Sequence, residues 1–564
     1  MNDKKMNIDI LDTISNLSSN EVFTPLKVVN QMLDLLPHEV WNENTKFLDP
    51  CCKTGIFLRE ITCRLMDVEC PGYKEKQEDI RQRVLNELIK YDIDESEFYD
   101  KQQEVYDSVL TDEDRDFLDK RNNAIDHILH EQVYGIGITT ITAMMSRRTV
   151  YCDRFACNTP QRKSRSISKF DNLDGNIKFV NIKHDCNKNG KCKYCGAGEE
   201  YNFDNAEHYA YNFIHQDITE IFKDIKDVKN MKFDVIIGNP PYQMQDNDGT
   251  ANNSASPIYH KFIDAAIKLN PKYLVMITPS KWMVGAKIPD DFRLRFINCN
   301  KIKELHHFTN AKECFPNNDI KGGVSYFLYE TNYSGLCKFV EHNNGNEIIA
   351  NRDLSENKTY IIANNTLNSI VNKVRSKTAG FVNVSVMNPY GLRTDTFTSE
   401  TRQAEYMNKY GITISDIQDN AHLVACLGLI NKKRVIKYVN KPIKQANLNS
   451  YKIFIPKAVV NVVNNILIGK PNMCCTETFL EFGPFENETI ANNAKAYLAT
   501  KFANALFLSK KMTPAVTAET FSNIPLEDFS KVLTDEELYK KYNLSQDEIN
   551  FIENEVFDML SKIC

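Results

Sequence analysis

The sequence predicts a doubly wound α/β domain followed by a second, mixed domain. Three observations predict it. The stretch TKFLDPCCKTGIFLR, Thr45 to Arg59, reads as a strand, a Gly-containing turn and a helix start. Apolar, strand-like runs then alternate with helical segments as far as about residue 335. Beyond about residue 340 that alternation stops and the chain becomes irregular and Asn-rich. A length of 564 residues is too great for one ordinary domain, and 42% apolar with 26% charged residues describes a folded chain, not a disordered polyampholyte.

Taken in order, the first residues, MNDKKMNIDILDTISN, carry no long apolar core, and no apolar run approaches the roughly 20 residues of a membrane span. The expectation is a cytoplasmic protein with no membrane partner. From about Tyr73 to Gln132 the sequence is charged with a helical period, an insertion that covers the sheet or stands out from it. Strand signals return at Gln132 to Thr139, Phe233 to Tyr242, Tyr273 to Ser280 and Gly323 to Glu330, with a further insertion around 150 to 205. The expected boundaries are therefore 1–335, 336–530 and a helical tail of 531–564. That tail reads as two short helices around an Asn-Leu-Ser turn, a packing cap.

A net charge of -6 excludes binding of nucleic acid through overall positive charge, so any such binding needs a local basic face. Asn431 to Lys457 supplies one: Lys432, Lys433, Arg434, Lys437, Lys441, Lys444, Lys452 and Lys457 occur there with no acidic residue. A solvated ribbon face is the bland reading, and a phosphate-contacting surface the sharper one.

The string that carries chemistry is Asn239-Pro240-Pro241-Tyr242, directly after the apolar strand FDVIIG. An Asn side-chain oxygen and the carbonyl of the following Pro can both accept hydrogen bonds from an exocyclic amine, holding its nitrogen toward an electrophile. Two prolines stiffen the loop, and the Tyr ring offers a stacking face for a base pulled out of a duplex. An ordinary turn is the competing reading, but the end of a central strand in an α/β domain is where ligands bind.

With these residues the sequence resembles the S-adenosylmethionine-dependent amino-methyltransferases, and within them the N6-adenine DNA methylases of type II restriction-modification systems. Phe23, Thr24 and Pro25 look like the element that holds the methionine part of the cofactor. LDPCCKTGIFL, with Asp49, Pro50, Lys53 and Gly55, looks like the cofactor loop, and the acid of Ile214-His215-Gln216-Asp217 like the one that bonds the cofactor adenine. KGGVSYFLYE resembles a late core strand. The element order resembles the gamma arrangement, and the likeness extends more loosely to GLRT near Arg393 and to Cys474 to Phe485. It implies a Rossmann-like methyltransferase domain with a C-terminal mixed α/β target-recognition domain, methyl transfer to a flipped adenine of double-stranded DNA, and a separate restriction endonuclease as a further partner. Arg393, Lys432, Lys433, Arg434 and Lys437 are the candidate DNA contacts. The sequence departs from the family pattern at Lys53, which replaces a Gly, and at Gly137, where many relatives place an acid for the cofactor ribose.

Of the sixteen cysteines, several fall in the insertion. Cys192-Lys-Tyr-Cys195-Gly has knuckle spacing, in which two thiolates and a following Gly wrap one tetrahedral ion. Likeness to insertions in related methylases implies a structural zinc held by Cys152, His184, Cys192 and Cys195, with Cys186 or Cys157 as substitutes. Two other function classes compete: an RNA or protein-amide methyltransferase, and a bifunctional endonuclease-methylase, against which stands the lack of a nuclease-like segment before Phe23.

Overall fold

The computed structural model describes residues 22–91, 98–199, 210–226, 228–243, 256–285, 287–385, 388–445, 447–458, 466–511 and 515–562. The chain divides into two compact units, Met1–Ile361 and Ile362–Cys564.

Among the described residues the first unit is built on a mixed sheet of nine strands: β1 (Phe47–Cys52), β2 (Val133–Gly137), β3 (Ile177–Lys178), β4 (Val235–Gly238), β5 (Tyr273–Pro279), β6 (Ile302–Phe308), β7 (Val324–Glu330), β8 (Cys337–Asn343) and β9 (Asn346–Arg352), in the order β3-β2-β1-β4-β5-β7-β6-β8-β9. From β3 to β5 neighbouring strands are parallel, whereas β7 is antiparallel to both β5 and β6. The order reverses at β1, which lies between β2 and β4. Ligands bind at such a switch point, outside the carboxyl ends of the strands. Every residue of β1, β2 and β4 is buried, as a parallel sheet covered on both faces requires.

The helices of this unit are α1 (Leu26–Leu33), α2 (Ile56–Glu69), α3 (Tyr73–Leu88), α4 (Phe98–Val109), α5 (Asp112–His127), α6 (Thr140–Tyr151), α7 (Asn212–His215), α8 (Ile218–Ile221), α9 (Tyr259–Lys268) and α10 (Asp290–Ile297). Apolar residues of α1 and α2, among them Val29, Met32, Leu58, Ile61 and Leu65, join Phe47, Val133, Val235 and Ile237 in one core. The charged stretch forms α3 to α5 around a small cluster of its own, Ile80, Val84, Leu88 and Val105. A capping box between Thr111 and Asp114 starts α5, and Arg83 and Lys76 reach the buried Asp114 carboxylate at 2.8 and 3.0 Å.

The sheet runs past residue 335, where the alternation of the sequence ends. β8 pairs in parallel with β6, and β9 folds back on β8, so the hydrogen-bond ladder continues to Arg352. These two strands follow a hairpin logic, which a search for alternating strands and helices does not register.

The second unit contains α11 (Asn365–Lys377), α12 (Glu400–Tyr410), α13 (Glu488–Leu498), α14 (Lys501–Leu508), α15 (Asp535–Lys541), α16 (Gln546–Asn554) and α17 (Val556–Lys562). Its strands are β10 (Ile414–Ser415), β11 (Val424–Ile430), β12 (Lys433–Val439), β13 (Tyr451–Pro456), β14 (Leu467–Gly469), β15 (Met473–Cys475) and β16 (Phe479–Phe485), arranged in sheets β10-β12-β11-β15 and β14-β13-β16. Among the described residues the tail holds the two short helices expected around Asn543-Leu544-Ser545, α15 and α16, and α17 follows them. The tail is anchored by Glu548, which receives Lys373 Nζ at 2.6 Å and Ser369 Oγ at 2.7 Å from α11. Among the described residues no helix is long and apolar enough to cross a membrane.

Candidate active site and metal cluster

The end of β4 and the loop after β1 converge because glycine allows it. A Cβ on Gly238 would lie 2.6 Å from Asp49 Oδ1 and 3.2 Å from Cys51 Sγ, so only a residue without one lets the two strand ends meet. Gly55, at φ +76°, turns the chain from β1 into α2 beside the backbone of Ser146. One cavity results, lined by Phe23, Thr24, Asp49, Lys53, Gly55 and Asn239 among others. Six of the residues singled out in sequence thus share one wall, although up to 216 positions separate them. Pro25 caps α1 and Pro50 lies within β1.

Asn239 is 3% exposed and its orientation is fixed by its partners. Nδ2 donates to the Val22 carbonyl at 2.9 Å and to Thr24 Oγ1 at 3.0 Å. A carbonyl can only accept, so the amide nitrogen must face it and Oδ1 must face away. Oδ1 is buried and receives no hydrogen bond from the described residues. Lys53 neither points outward nor stands free: it is buried, and its Nζ donates to the same Val22 carbonyl at 2.8 Å. Asp49 Oδ1 accepts from Cys51 N at 3.1 Å, and burial pushes this carboxyl up to about 7.

Two further expected residues, Tyr242 and Asp217, do not line this cavity. Tyr242 is 8% exposed and packs in the core, and among the described residues its hydroxyl has no partner, so its ring is not an open stacking face here. Burying the ring is favourable. Asp217 is not among the residues that line the cavity of Asn239. It is the N-cap of α8, accepts from Thr219 N at 2.9 Å and Thr219 Oγ1 at 2.7 Å, and lines a separate cleft of about 580 Å³. At Gly137, a Cβ would sit 2.7 Å from that of Ala143, so the packing of α6 leaves no room for a side chain.

In the insertion, His184, Cys192, Cys195 and His215 each bring a ligand atom, and these atoms all lie within 4.8 Å of one another. Cys152 is not among them: it is exposed, in a left-handed conformation at the end of α6. Cys157 is turned to the Asn158 carbonyl, and Cys186 pairs by backbone with Cys192 without joining the set. Sequence reasoning missed His215, which falls in the segment assigned to cofactor binding. Two thiols and two imidazoles make a donor set suited to zinc.

In the second unit, β11 and β12 form a hairpin whose turn, Asn431-Lys432, has φ of 49° and 62° at its two positions, the signature of a primed turn. Lys432, Lys433 and Arg434 are exposed on it, and Arg393 is exposed on a loop packed against the same core. Lys437 is paired with Asp416 at 2.8 Å. Lys452 is withdrawn from the basic face altogether: it is fully buried and donates to the Asn447 and Leu448 carbonyls at 2.8 and 2.9 Å.

Residues 131–315 match the family described as Eco57I restriction-modification methylase. A protein of Mycoplasma pneumoniae described as an uncharacterized adenine-specific methylase is 33% identical over 390 residues, 65% of this chain and 80% of that protein. Among solved structures, the type IIG restriction endonuclease BpuSI matches at 10% identity and a TM-score of 0.39, over 98% of this chain and 67% of its own. The type IIL restriction-modification enzyme MmeI, solved with DNA, matches at 11% identity and a TM-score of 0.38, over 99% and 75%.

Proposed function

Since the chain belongs to the adenine-specific DNA methylases of restriction-modification type, we propose that it methylates the N6 amine of an adenine flipped out of double-stranded DNA, with its elements in the gamma order. The carrying observation is Asn239 Oδ1, a buried acceptor without a donor among the described residues, on the wall of a cavity that also holds Thr24, Asp49 and Gly55. An exocyclic amine is the donor that such an oxygen lacks, and accepting its hydrogen bonds turns the nitrogen lone pair in a set direction.

S-adenosylmethionine, when bound, supplies the electrophilic methyl. The chain's own part is positioning. Val22 holds both Asn239 and Lys53 by its carbonyl, so the segment before α1, the β1 loop and the β4 loop are fastened at one atom. That junction keeps Asn239 from turning when the amine arrives. Phe23, Thr24, Asp49, Lys53 and Gly55 are the residues assigned to the methionine side of the cofactor. Target recognition is assigned to the second unit, with Arg393, Lys432, Lys433 and Arg434 toward phosphate. Zinc is the ion assigned to His184, Cys192, Cys195 and His215.

Methyl incorporation from labelled cofactor tests the reading. We expect transfer to duplex DNA, and none to ribosomal RNA or release-factor protein. Asn239→Ala should lower transfer by on the order of 10²-fold or more, as removal of a preorganised hydrogen-bonding group does elsewhere, while DNA affinity stays. Full activity in that variant would sink the assignment.

A further inference from the structure

We propose that an ion at His184, Cys192, Cys195 and His215 acts as a clasp, fastening the tip of the insertion to α7 and so setting one wall of the Asp217 cleft. The inference rests on the zinc reading above but goes further, because the fourth ligand comes from another element. His184, Cys192 and Cys195 belong to one short loop, whereas His215 ends α7.

Several details prepare the two halves for a common ion. His215 Nδ1 lies 2.8 Å from the Tyr211 carbonyl, which fixes the proton there and leaves Nε2 as the free lone pair, 3.4 Å from Cys192 Sγ. On the opposite side His184 Nδ1 stands 3.2 Å from Cys195 Sγ, and Ala197 N donates to that sulfur at 3.5 Å. Cys192 N bonds to the Ala197 carbonyl at 2.7 Å, and Gly196, at φ +84°, makes the turn that closes the knuckle. α7 is itself anchored: Asn212 bonds the Val180 backbone through both amide atoms, at 3.2 and 2.9 Å.

Among the described residues the loop's other ties are polar: Lys193 N donates to the Asp185 carbonyl, Glu199 N to the Gly190 carbonyl, and Lys193 Nζ pairs with Asp185 at 2.9 Å. The sequence from Asp185 to Gly196 is almost wholly polar, with Lys188, Lys191, Lys193 and Tyr194 exposed, so apolar burial contributes little to its position. An ion that replaces this missing core is the usual device of small polar loops. Its consequence reaches the cleft of about 580 Å³, where Lys193 and Tyr194 from the knuckle face Gln216 and Asp217 beyond α7 and Lys261 of α9. Lys261 Nζ donates to the Tyr194 carbonyl, a second tie across the same gap. Four protein ligands leave no open position, so the ion would be structural and not a catalyst.

The test uses the full chain purified with its thiols reduced. Metal content by plasma mass spectrometry should give one zinc per chain in the wild type and in Cys152→Ser, and cobalt exchanged into the site should show the absorption of a tetrahedral ion with thiolate ligands. His215→Ala should weaken zinc binding by about 100-fold or more and open 184–199 to limited proteolysis, with the far-UV spectrum unchanged. Retention of zinc at wild-type affinity by His215→Ala, with the wild-type cleavage pattern, would overturn the clasp while leaving zinc at the knuckle in place. A wild-type chain with no zinc and no cobalt absorption would overturn both. Asn239→Ala should bind zinc as the wild type does, so loss of methyl transfer says nothing against the clasp.

Discussion

Leaving a buried amide oxygen without a donor costs on the order of 1–3 kcal/mol, and Asn239 carries that cost in the absence of a ligand. On the proposed function a ligand with an exocyclic amine would recover it, giving Asn239 a binding role as well as an orienting one. Asp49 carries a second local cost. Its folded-state pKa, raised by burial to about 7, exceeds the ordinary 3.8 of an unfolded chain, so the native state binds a proton that the unfolded chain releases. The sign follows: its contribution to stability is full below the unfolded pKa and is lost as pH rises through about 7. Integrated, the loss is roughly 4 kcal/mol. Asp49→Asn keeps an oxygen to accept from Cys51 N but cannot titrate, and urea midpoints measured from pH 4 to 8 should fall less steeply in that variant. An unchanged slope would mean that Asp49 is not protonated in the native state.

At the scale of elements, the turn between β1 and α2 depends on Gly55 in two ways that can be separated. Its positive φ penalises any L side chain, and its Cβ would stand 2.8 Å from Ser146 Cα and 2.9 Å from Ser146 O on α6. Gly72, at the start of α3, shares the positive φ but has nothing within 4 Å. Gly72→Ala should therefore cost about 1 kcal/mol, the conformational part alone. Gly55→Ala should cost about 2 kcal/mol more, because backbone cannot move aside as a side-chain end can. Equal costs in thermal melts would show that α6 yields. The β11–β12 hairpin is only partly legible in the same local terms: Asn431 tolerates the left-handed region that its turn requires, Lys432 beside it does not advertise it, and the basic residues there are exposed. What local terms do not reveal is that Lys437 and Lys452 are engaged by protein partners, since Asp416 and the 447–448 carbonyls reach them only through folding.

For the whole molecule, the division into units of residues 1–361 and 362–564 puts the cavity of Asn239 in one unit and the exposed Lys432, Lys433 and Arg434, proposed above to meet phosphate, in the other. Reversing Lys432, Lys433 and Arg434 to Glu should weaken duplex binding uniformly across sequences. It should also reduce the slope of log affinity against log salt by about 0.9 for each phosphate no longer neutralised. Cofactor affinity, measured by calorimetry, should not change. An unaltered salt slope would place the DNA-binding surface elsewhere. The net charge of -6 does not conflict with such a surface: acidic groups at Asp112, Glu113 and Asp114 lie in the first unit, where Asp114 serves Arg83 and Lys76.

The methylase motifs, the α/β rhythm and the knuckle spacing were all determined by sequence alone, because each is a pattern of near neighbours: a strand followed by a stiff acceptor loop, apolar runs between helices, two cysteines three apart. Tertiary structure decided what depends on distant partners meeting. His215 lies 20 residues from Cys195, in a segment whose own neighbours suggest another task, and only the packing of α7 against the knuckle brings its imidazole to the thiols. The strands β8 and β9 join the first sheet through β6, a pairing no local period reports. Tyr242 turns into the core, and Lys53 reaches back to Val22, because burial and hydrogen bonding are settled by everything that surrounds a side chain and not by its position in a motif.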